Sequence, residues 1–316
     1  MLTEPFGLTR YENNPILAPK DFPGADAIFN CGQTMYKGKT ILLVAVMLRN
    51  DPLPRIHVAE STDGLHFKVR PTPFIKKSIL AHIGPLDNWP IDPRLTYFPE
   101  EDCYYIMRPG NSEHGCVAIL GKTKDFETYE DIEVIALPHN RVPCLFPEKI
   151  NGSYARLDRP YSLISDPHNH QQYGHIWLSY SPDLIHWGRH RILLAPWAQW
   201  NSTKIGPTPP IKTKDGWLMM IHGVSTSCTG QRYCLGAALL DLEDPSRIIG
   251  KANGYLLSPD ADYEFMGRVP NVVFTCGAIA DLEEDRLRVY YGGADTCIAL
   301  ATAKLSEIVD ICKKGL

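Results

Sequence analysis

The sequence predicts an all-β chain folded as a five-bladed β-propeller with a short C-terminal helix. Three observations carry that reading: a short recurring pattern, a tight turn before each apolar run, and an abundance of Pro and Gly. The pattern is Asp63-Gly64-Leu65-His66-Phe67, then Asp125-Phe126-Glu127-Thr128-Tyr129, then Asp183-Leu184-Ile185-His186-Trp187. Ser61, Thr123 and Ser181 stand two residues before each Asp, and the copies are 62 and 58 residues apart. In a chain of 316 residues that spacing gives about five units. Weaker echoes at Asp241-Leu242-Glu243-Asp244 and Lys304-Leu305-Ser306-Glu307 complete the count.

Each unit opens on a turn followed by an apolar strand. Lys37-Gly38-Lys39 precedes Ile41 to Val46, Glu101-Asp102 precedes Cys103 to Met107, and Asn151-Gly152 precedes Ser153 to Leu157. Asp215-Gly216 leads into Trp217 to Ile221, and Glu284-Asp285 into Arg286 to Tyr291. Asn-Gly and Asp-Gly accept positive φ cheaply, which suits hairpins, and Tyr, Val, Ile and Trp suit a half-buried pleated surface. A further strand, such as Ile176 to Tyr180, then runs into the Asp-x-x-x-aromatic turn. Twenty-six Pro and 24 Gly argue against long helices. The helix candidate is Ser306 to Lys314, with Leu305, Ile308, Val309 and Ile311 as an apolar stripe and Ser306 as N-cap. Small sheets of this kind bury their faces only against neighbours, and radial stacking does so with few open edges. No linker divides the chain, so residues 1–316 read as a single domain; a β-sandwich pair or a two-domain β protein is the alternative.

Thirty-two Lys and Arg against 36 Asp and Glu give a net charge of −4, without the basic clustering that a nucleic-acid or membrane-surface binder needs. No apolar run reaches the roughly 20 residues of a membrane span. Met1 leads directly into Leu2-Thr3-Glu4-Pro5 with no signal-like core. Nine Cys, an odd number without a C-x-x-C pair, read as mostly buried thiols in a reducing compartment. The expected setting is cytoplasmic. His168 and His170 fall in a polar loop, Asp166 to Tyr173, that reads as solvated, and neither metal nor cofactor is expected.

Candidate chemistry lies at strand ends and in Pro- or Gly-bounded loops, where propellers gather side chains round a central pocket. Asp92 in Trp89-Pro90-Ile91-Asp92-Pro93-Arg94 follows apolar residues, and the next proline pushes it toward extended backbone. A carboxyl there suits general-acid work; the alternative is a turn brace to Arg94. Arg141, Arg159, Lys204 and His222 are basic groups from separate stretches, each flanked by apolar residues. Burying them calls for an anionic partner such as phosphate or a carboxylate, although a lone His at a strand end is also a common core residue. Asp295 follows Gly292-Gly293, which permit close backbone approach, and can accept sugar hydroxyls or close an Asx-turn. Asn30 holds a comparable strand-end position in the first unit.

With these residues assembled, the chain resembles glycoside hydrolase family 130, the β-mannoside phosphorylases and β-mannosidases. The matching stretches run from Tyr11-Glu12-Asn13-Asn14-Pro15 to Ala299-Leu300-Ala301. Among them are Ile91-Asp92-Pro93-Arg94, Leu145-Phe146-Pro147-Glu148-Lys149, Asp158-Arg159-Pro160, Lys204-Ile205-Gly206, Ile221-His222-Gly223-Val224 and Ala294-Asp295-Thr296. The resemblance implies a five-bladed propeller and makes Asp92 the proton donor, acting through the 3-hydroxyl of the bound mannose. It places Arg141, Arg159, Lys204 and His222 on phosphate, and Asn30, Arg94 and Asp295 on the sugar. The implied reaction is inverting phosphorolysis of a β-mannoside to α-mannose 1-phosphate. Its partners are then an oligosaccharide and inorganic phosphate as co-substrate, with a homo-oligomer as the assembly relatives suggest. Relatives often carry an Arg near the sugar where Ala45 stands here, with Arg49 and Arg55 following. The alternatives are an inverting β-mannosidase, with Glu148 or Asp158 activating water, and a non-catalytic glycan-binding propeller. Loops 82–88, 109–114 and 166–173 are the candidates for holding the leaving sugar.

Overall fold

The computed structural model describes residues 7–166, 169–228 and 230–315, so His168 of the polar loop lies outside the described residues. Strand pairing resolves into five antiparallel blades. The first runs Ala25–Tyr36, Lys39–Leu48, Asp51–Ser61 and Lys68–Val69; the second Arg94–Phe98, Cys103–Ser112, Gly115–Thr123 and Glu130–Ala136. The third runs Asn140–Leu145, Tyr154–Asp166, Ile176–Ser181 and Gly188–Leu194. The fourth starts with Lys204–Pro207 and Ile211–Thr213, then Gly216–Ser227, Gly230–Leu240 and Ile248–Lys251. The fifth has Val273–Phe274 and Ile279–Asp281 inside, then Arg286–Gly293 and Cys297–Lys304. The third and fourth blades share one continuous sheet because Tyr154–Asp166 also pairs with Asn169–Gly174, whose Gly174 lies beside Lys204.

Burial explains why the second strands read as unbroken apolar runs. Both faces of a blade are covered, so alternate side chains enter different cores. Ile41 and Leu43 pack with Leu95, Ile106 and Phe126 of the second blade, whereas Leu42, Val44 and Val46 pack with Tyr290, Ile298 and Leu300 of the fifth. Further clusters join the second blade to the third, the third to the fourth and the fourth to the fifth. Five interblade cores therefore close a ring.

The recurring pattern is the turn between third and fourth strands. In each of the first three blades the Asp side chain accepts from two backbone N–H groups, those of Leu65 and His66, Glu127 and Thr128, and Ile185 and His186. Ser61 and Ser181 donate to that Asp at 2.7 and 3.1 Å. The residue after it is left-handed throughout: Gly64 at φ 74°, Phe126 at 58° and Leu184 at 71°. Asp241 repeats the motif in the fourth blade, accepting from Glu243 and Asp244. The expected fifth copy at Lys304 is not a turn. The outer strand of that blade is Thr9–Arg10, from the other end of the chain, so none is needed.

The C-terminal helix spans Leu305–Lys314 and packs Ile308, Val309 and Cys312 on the core between the fourth and fifth blades. Ser306 is not its N-cap; Lys304 holds that position. Ser306 instead donates through Oγ to Asp285 at 2.5 Å, and the same carboxylate accepts the Ser306 N–H at 2.8 Å, capping the helix from the neighbouring hairpin. Among the described residues no helix is long and apolar enough to cross a membrane. All nine cysteines are unpaired thiols, and every one but Cys228 is buried.

Glu264 anchors the N-terminal outer strand to the rest of the fifth blade. Its carboxylate has no exposed surface and accepts Arg10 Nε at 2.9 Å, Arg10 Nη2 at 2.8 Å and the Tyr291 hydroxyl at 2.7 Å. The N–H groups of Asp260 and Ala261 complete its shell. Glu264→Ala strands Arg10 and Tyr291 together, so the expected loss is about 3–5 kcal/mol, read as a lower urea midpoint. An unmoved midpoint would show that the outer strand does not depend on this carboxylate.

Candidate active site

Inner-strand irregularities aim the polar residues at one cavity. In the first blade, register passes from Phe29 opposite Ala45 to Cys31 opposite Val44, leaving Asn30 as an unpaired bulge at φ 45°. In the third blade a second bulge follows Arg141, with Val142 at φ 53°. Bulges re-aim side chains, and a β-branched residue at positive φ marks backbone held under strain by its surroundings. Asp92, Ala294 and Asp295 are left-handed too, at 52°, 46° and 48°. Asp92 therefore departs from the extended backbone expected of it. Pro93 disfavours the right-handed helical region, and two bonds hold the left-handed one: Arg94 Nη1 to the Asp92 carbonyl at 2.9 Å, and Asn30 Nδ2 to Asp92 Oδ1 at 2.9 Å.

The cavity, of about 140 Å³, draws lining residues from all five blades. One wall is acidic. Asn30 Nδ2 bridges Asp92 and Asp295, reaching Asp295 Oδ1 at 3.3 Å. Burial, reinforced by the neighbouring Asp92 charge, pushes the Asp295 carboxyl up to about 7. The other wall is basic. Arg141 and Arg159 are direct cross-strand partners, an arrangement of like charges that opposes folding. Among the described residues neither forms an ion pair with a carboxylate. Arg159 Nη1 donates to His222 Nε2 at 2.9 Å, so the imidazole is neutral and carries its proton on a buried, unpartnered Nδ1. Burial, with Arg159, Arg94 and Lys204 nearby, pushes the His222 pKa far down. Burial likewise lowers Lys204 to about 7 and Arg159 to about 10, with neighbouring cations adding to both. Orphaned Nε of Arg159 and Nδ1 of His222 are donors awaiting an acceptor.

The structure thus brings together Asn30, Asp92, Arg141, Arg159, Lys204, His222 and Asp295, and sets one predicted residue apart. Arg94 does not line the cavity: it is buried behind Asp92, spans the carbonyls of Asp92 and Pro207, and lies over the Phe274 ring. It supports Asp92 through the main chain, which also answers the turn-brace reading. Ala45 is fully buried against Phe29, Met47 and Ile91, while Arg55 pairs with Asp51 and Arg49 is exposed; neither arginine lines the cavity. Tyr233 and Phe274 escaped sequence reasoning as site residues. Tyr233 faces His222 and lies under Lys204, just before a matching stretch that begins at Leu235 and offers no site residue, so only the fold reveals it.

Gly206 makes room for His222. A Cβ there would fall 2.5 Å from His222 Nε2, closer still to Cε1, and 3.0 Å from Val142 Cγ2. Gly206→Ala should displace the imidazole, break its bond from Arg159 and weaken anion binding about ten- to hundredfold. Sulfate titration of the folded variant checks this; unchanged affinity would show that the imidazole does not shape the wall.

The fold is shared with a thermostable family-43 glycoside hydrolase, with TM-score 0.65 at 14% identity, over 92% of this chain and 91% of that one. The chain belongs to glycoside hydrolase family 130, whose model, described as beta-1,4-mannooligosaccharide phosphorylase, matches residues 10–314. It is 34% identical over 311 residues to a beta-1,4-mannooligosaccharide phosphorylase of Ruminococcus albus, covering 96% of this chain and 90% of the relative. It is also 31% identical to a 4-O-beta-D-mannosyl-D-glucose phosphorylase of Bacteroides fragilis, over 95% of this chain and 78% of that one. A beta-1,2-mannobiose phosphorylase from Listeria innocua, solved with beta-1,2-mannobiose, superposes with TM-score 0.84 at 33% identity, covering 97% and 99% of the two chains.

Proposed function

We propose that this protein is an inverting β-mannoside phosphorylase, converting a β-linked mannoside and inorganic phosphate into α-mannose 1-phosphate and the released sugar. The observation that carries the reading is the basic wall. Two arginines directly opposed, Arg159 buried and Arg141 half-buried, with Lys204 and His222 beside them, form a site whose repulsion a bound phosphate relieves. Hydrolysis instead needs a carboxylate to activate water across the sugar from the acid. Glu148 is engaged with Lys212 at 2.6 Å, and Asp158 with Arg156 at 2.8 Å and Asn140; neither lines the cavity. Asp92 and Asp295 share one Asn30 amide, so they converge on a single side rather than facing each other.

In this reading Asn30 and Asp295 hold the mannose, and Asp92 supplies a proton through the sugar's 3-hydroxyl to the departing oxygen. Phosphate, held by Arg141, Arg159, Lys204 and His222, attacks the anomeric carbon from the opposite face as the glycosidic bond breaks. Charge developing toward an oxocarbenium ion is balanced by the phosphate itself. No cofactor enters the scheme. One catalytic unit suffices for it, and nine unpaired cysteines fit a reducing cytoplasm.

The reading fixes a pH dependence. Lys204 must be protonated to bind an anion, and its pKa near 7 means the charge is lost as pH rises through that value. Asp295 gains a negative charge over the same range, which acts in the same direction. Affinity for sulfate, whose own charge is constant here, should fall steadily above pH 7, with proton uptake on binding. A flat profile from pH 6 to 9 would contradict the placement of the anion beside Lys204. The test of function is incubation with β-1,4-mannobiose, β-1,2-mannobiose and mannosyl-glucose in phosphate, with the anomeric configuration of the product read by NMR. α-Mannose 1-phosphate is the expected product, and a β-configured phosphate or none would overturn the proposal.

A further inference from the structure

We infer that Asn111 is a positioning residue that sets the phosphate-binding Arg141 and the segment carrying Asp92 with one side chain. The inference rests on the phosphorylase reading of the site. Asn111 lies outside the cavity, near the tip of the second-blade hairpin formed by Cys103–Ser112 and Gly115–Thr123. Its Oδ1 accepts Arg141 Nη2 at 2.6 Å, while its Nδ2 donates to the carbonyl of Trp89 at 3.3 Å. Its own carbonyl accepts the N–H of Asn88 at 2.9 Å. Trp89 stands three residues before Asp92 and packs on the same cluster as Ile91, so the amide reaches both halves of the site at once.

The chemistry of the side chain matters as much as its position. Arg141 also places Nε against the Sγ of Cys116, the cross-strand partner of Asn111, at 3.3 Å. Two points of contact from one hairpin fix the guanidinium plane and leave Nη1 and the second Nη2 hydrogen for an anion. A neutral amide oxygen orients Arg141 without cancelling its charge; a carboxylate there would form an ion pair and compete with phosphate. An amide also offers the donor that Trp89 requires, which a carboxylate lacks.

Two variants test this, each assayed as the full chain with β-mannobiose and phosphate, and with melting curves as the control for folding. Asn111→Asp keeps an acceptor for Arg141 but neutralises it, so the KM for phosphate should rise about ten- to hundredfold while the KM for the sugar holds. Asn111→Ala loses both ties, and kcat should fall about tenfold together with weaker phosphate binding. A residue that merely staples the hairpin would shift the melting point and leave the phosphate KM alone. If wild type depends on phosphate and either folded variant keeps a phosphate KM within about twofold of it, the inference is overturned. If wild type itself shows no phosphate dependence, the phosphorylase reading falls first.

Discussion

Asp92→Asn is expected to lower kcat on β-mannobiose by about 10²–10⁴, the range over which a general acid acts, with little change in melting temperature. The variant separates chemistry from structure well. Asparagine keeps an oxygen to accept Asn30 Nδ2, and the Arg94 bond goes to the backbone carbonyl, which is untouched. The left-handed backbone at this position also tolerates asparagine, whose short polar side chain is among the few that adopt it readily. What is lost is the transferable proton, together with the Asp92 charge beside Asp295. The deficit should shrink on a dinitrophenyl β-mannoside, whose leaving group departs without protonation. An equal deficit on both substrates would show that Asp92 holds the sugar rather than protonating the leaving oxygen.

Arg159→Met is expected to separate activity from stability in opposite directions. The guanidinium is buried, faces Arg141 directly across the strand pair, and has an orphaned Nε. Removing it relieves like-charge repulsion in the empty protein, so the phosphate-free melting temperature should hold or rise. The same change deletes charge-assisted bonds to the anion, and the KM for phosphate should rise about ten- to hundredfold or more. Phosphate should raise the melting temperature of wild type by mass action and leave the variant nearly unmoved. A variant that melts lower yet keeps its phosphate KM would make Arg159 a structural residue. A site that trades stability for anion affinity is what a functional cluster of buried cations requires.

Local signals made the blades legible. The Ser/Thr-x-Asp turns, the Asn-Gly and Asp-Gly hairpins and the unbroken apolar second strands each specify geometry within a few residues, and all three recur in the structure. Where the turn motif fades, at Lys304, the outer strand comes from residues almost three hundred positions away, and no local sequence can announce that. The site was legible as a set of residues but not as a geometry. Asn30 and Arg141 reach the cavity through bulges, and bulge placement depends on how two strands slide past each other. The backbone of Asp92 was misjudged for a related reason: proline narrows the choice, and the tertiary bonds from Arg94 and Asn30 then decide it. Arg94 illustrates the limit of adjacency. Two residues from Asp92, it points behind the cavity while carrying the same motif. Tyr233 and Asn111 act through neighbours on other strands, and the sequence marks Asn111 only as one residue of the 109–114 segment.

The measurement that bears most directly on the account is consumption of β-mannobiose by the purified protein in rigorously phosphate-free buffer and again with added phosphate. The basic wall predicts no turnover without phosphate, and one α-mannose 1-phosphate formed for each disaccharide consumed when it is present. Free mannose released at the same rate in both buffers would contradict it, and would mean that water, not phosphate, occupies the place beside Arg141 and Arg159.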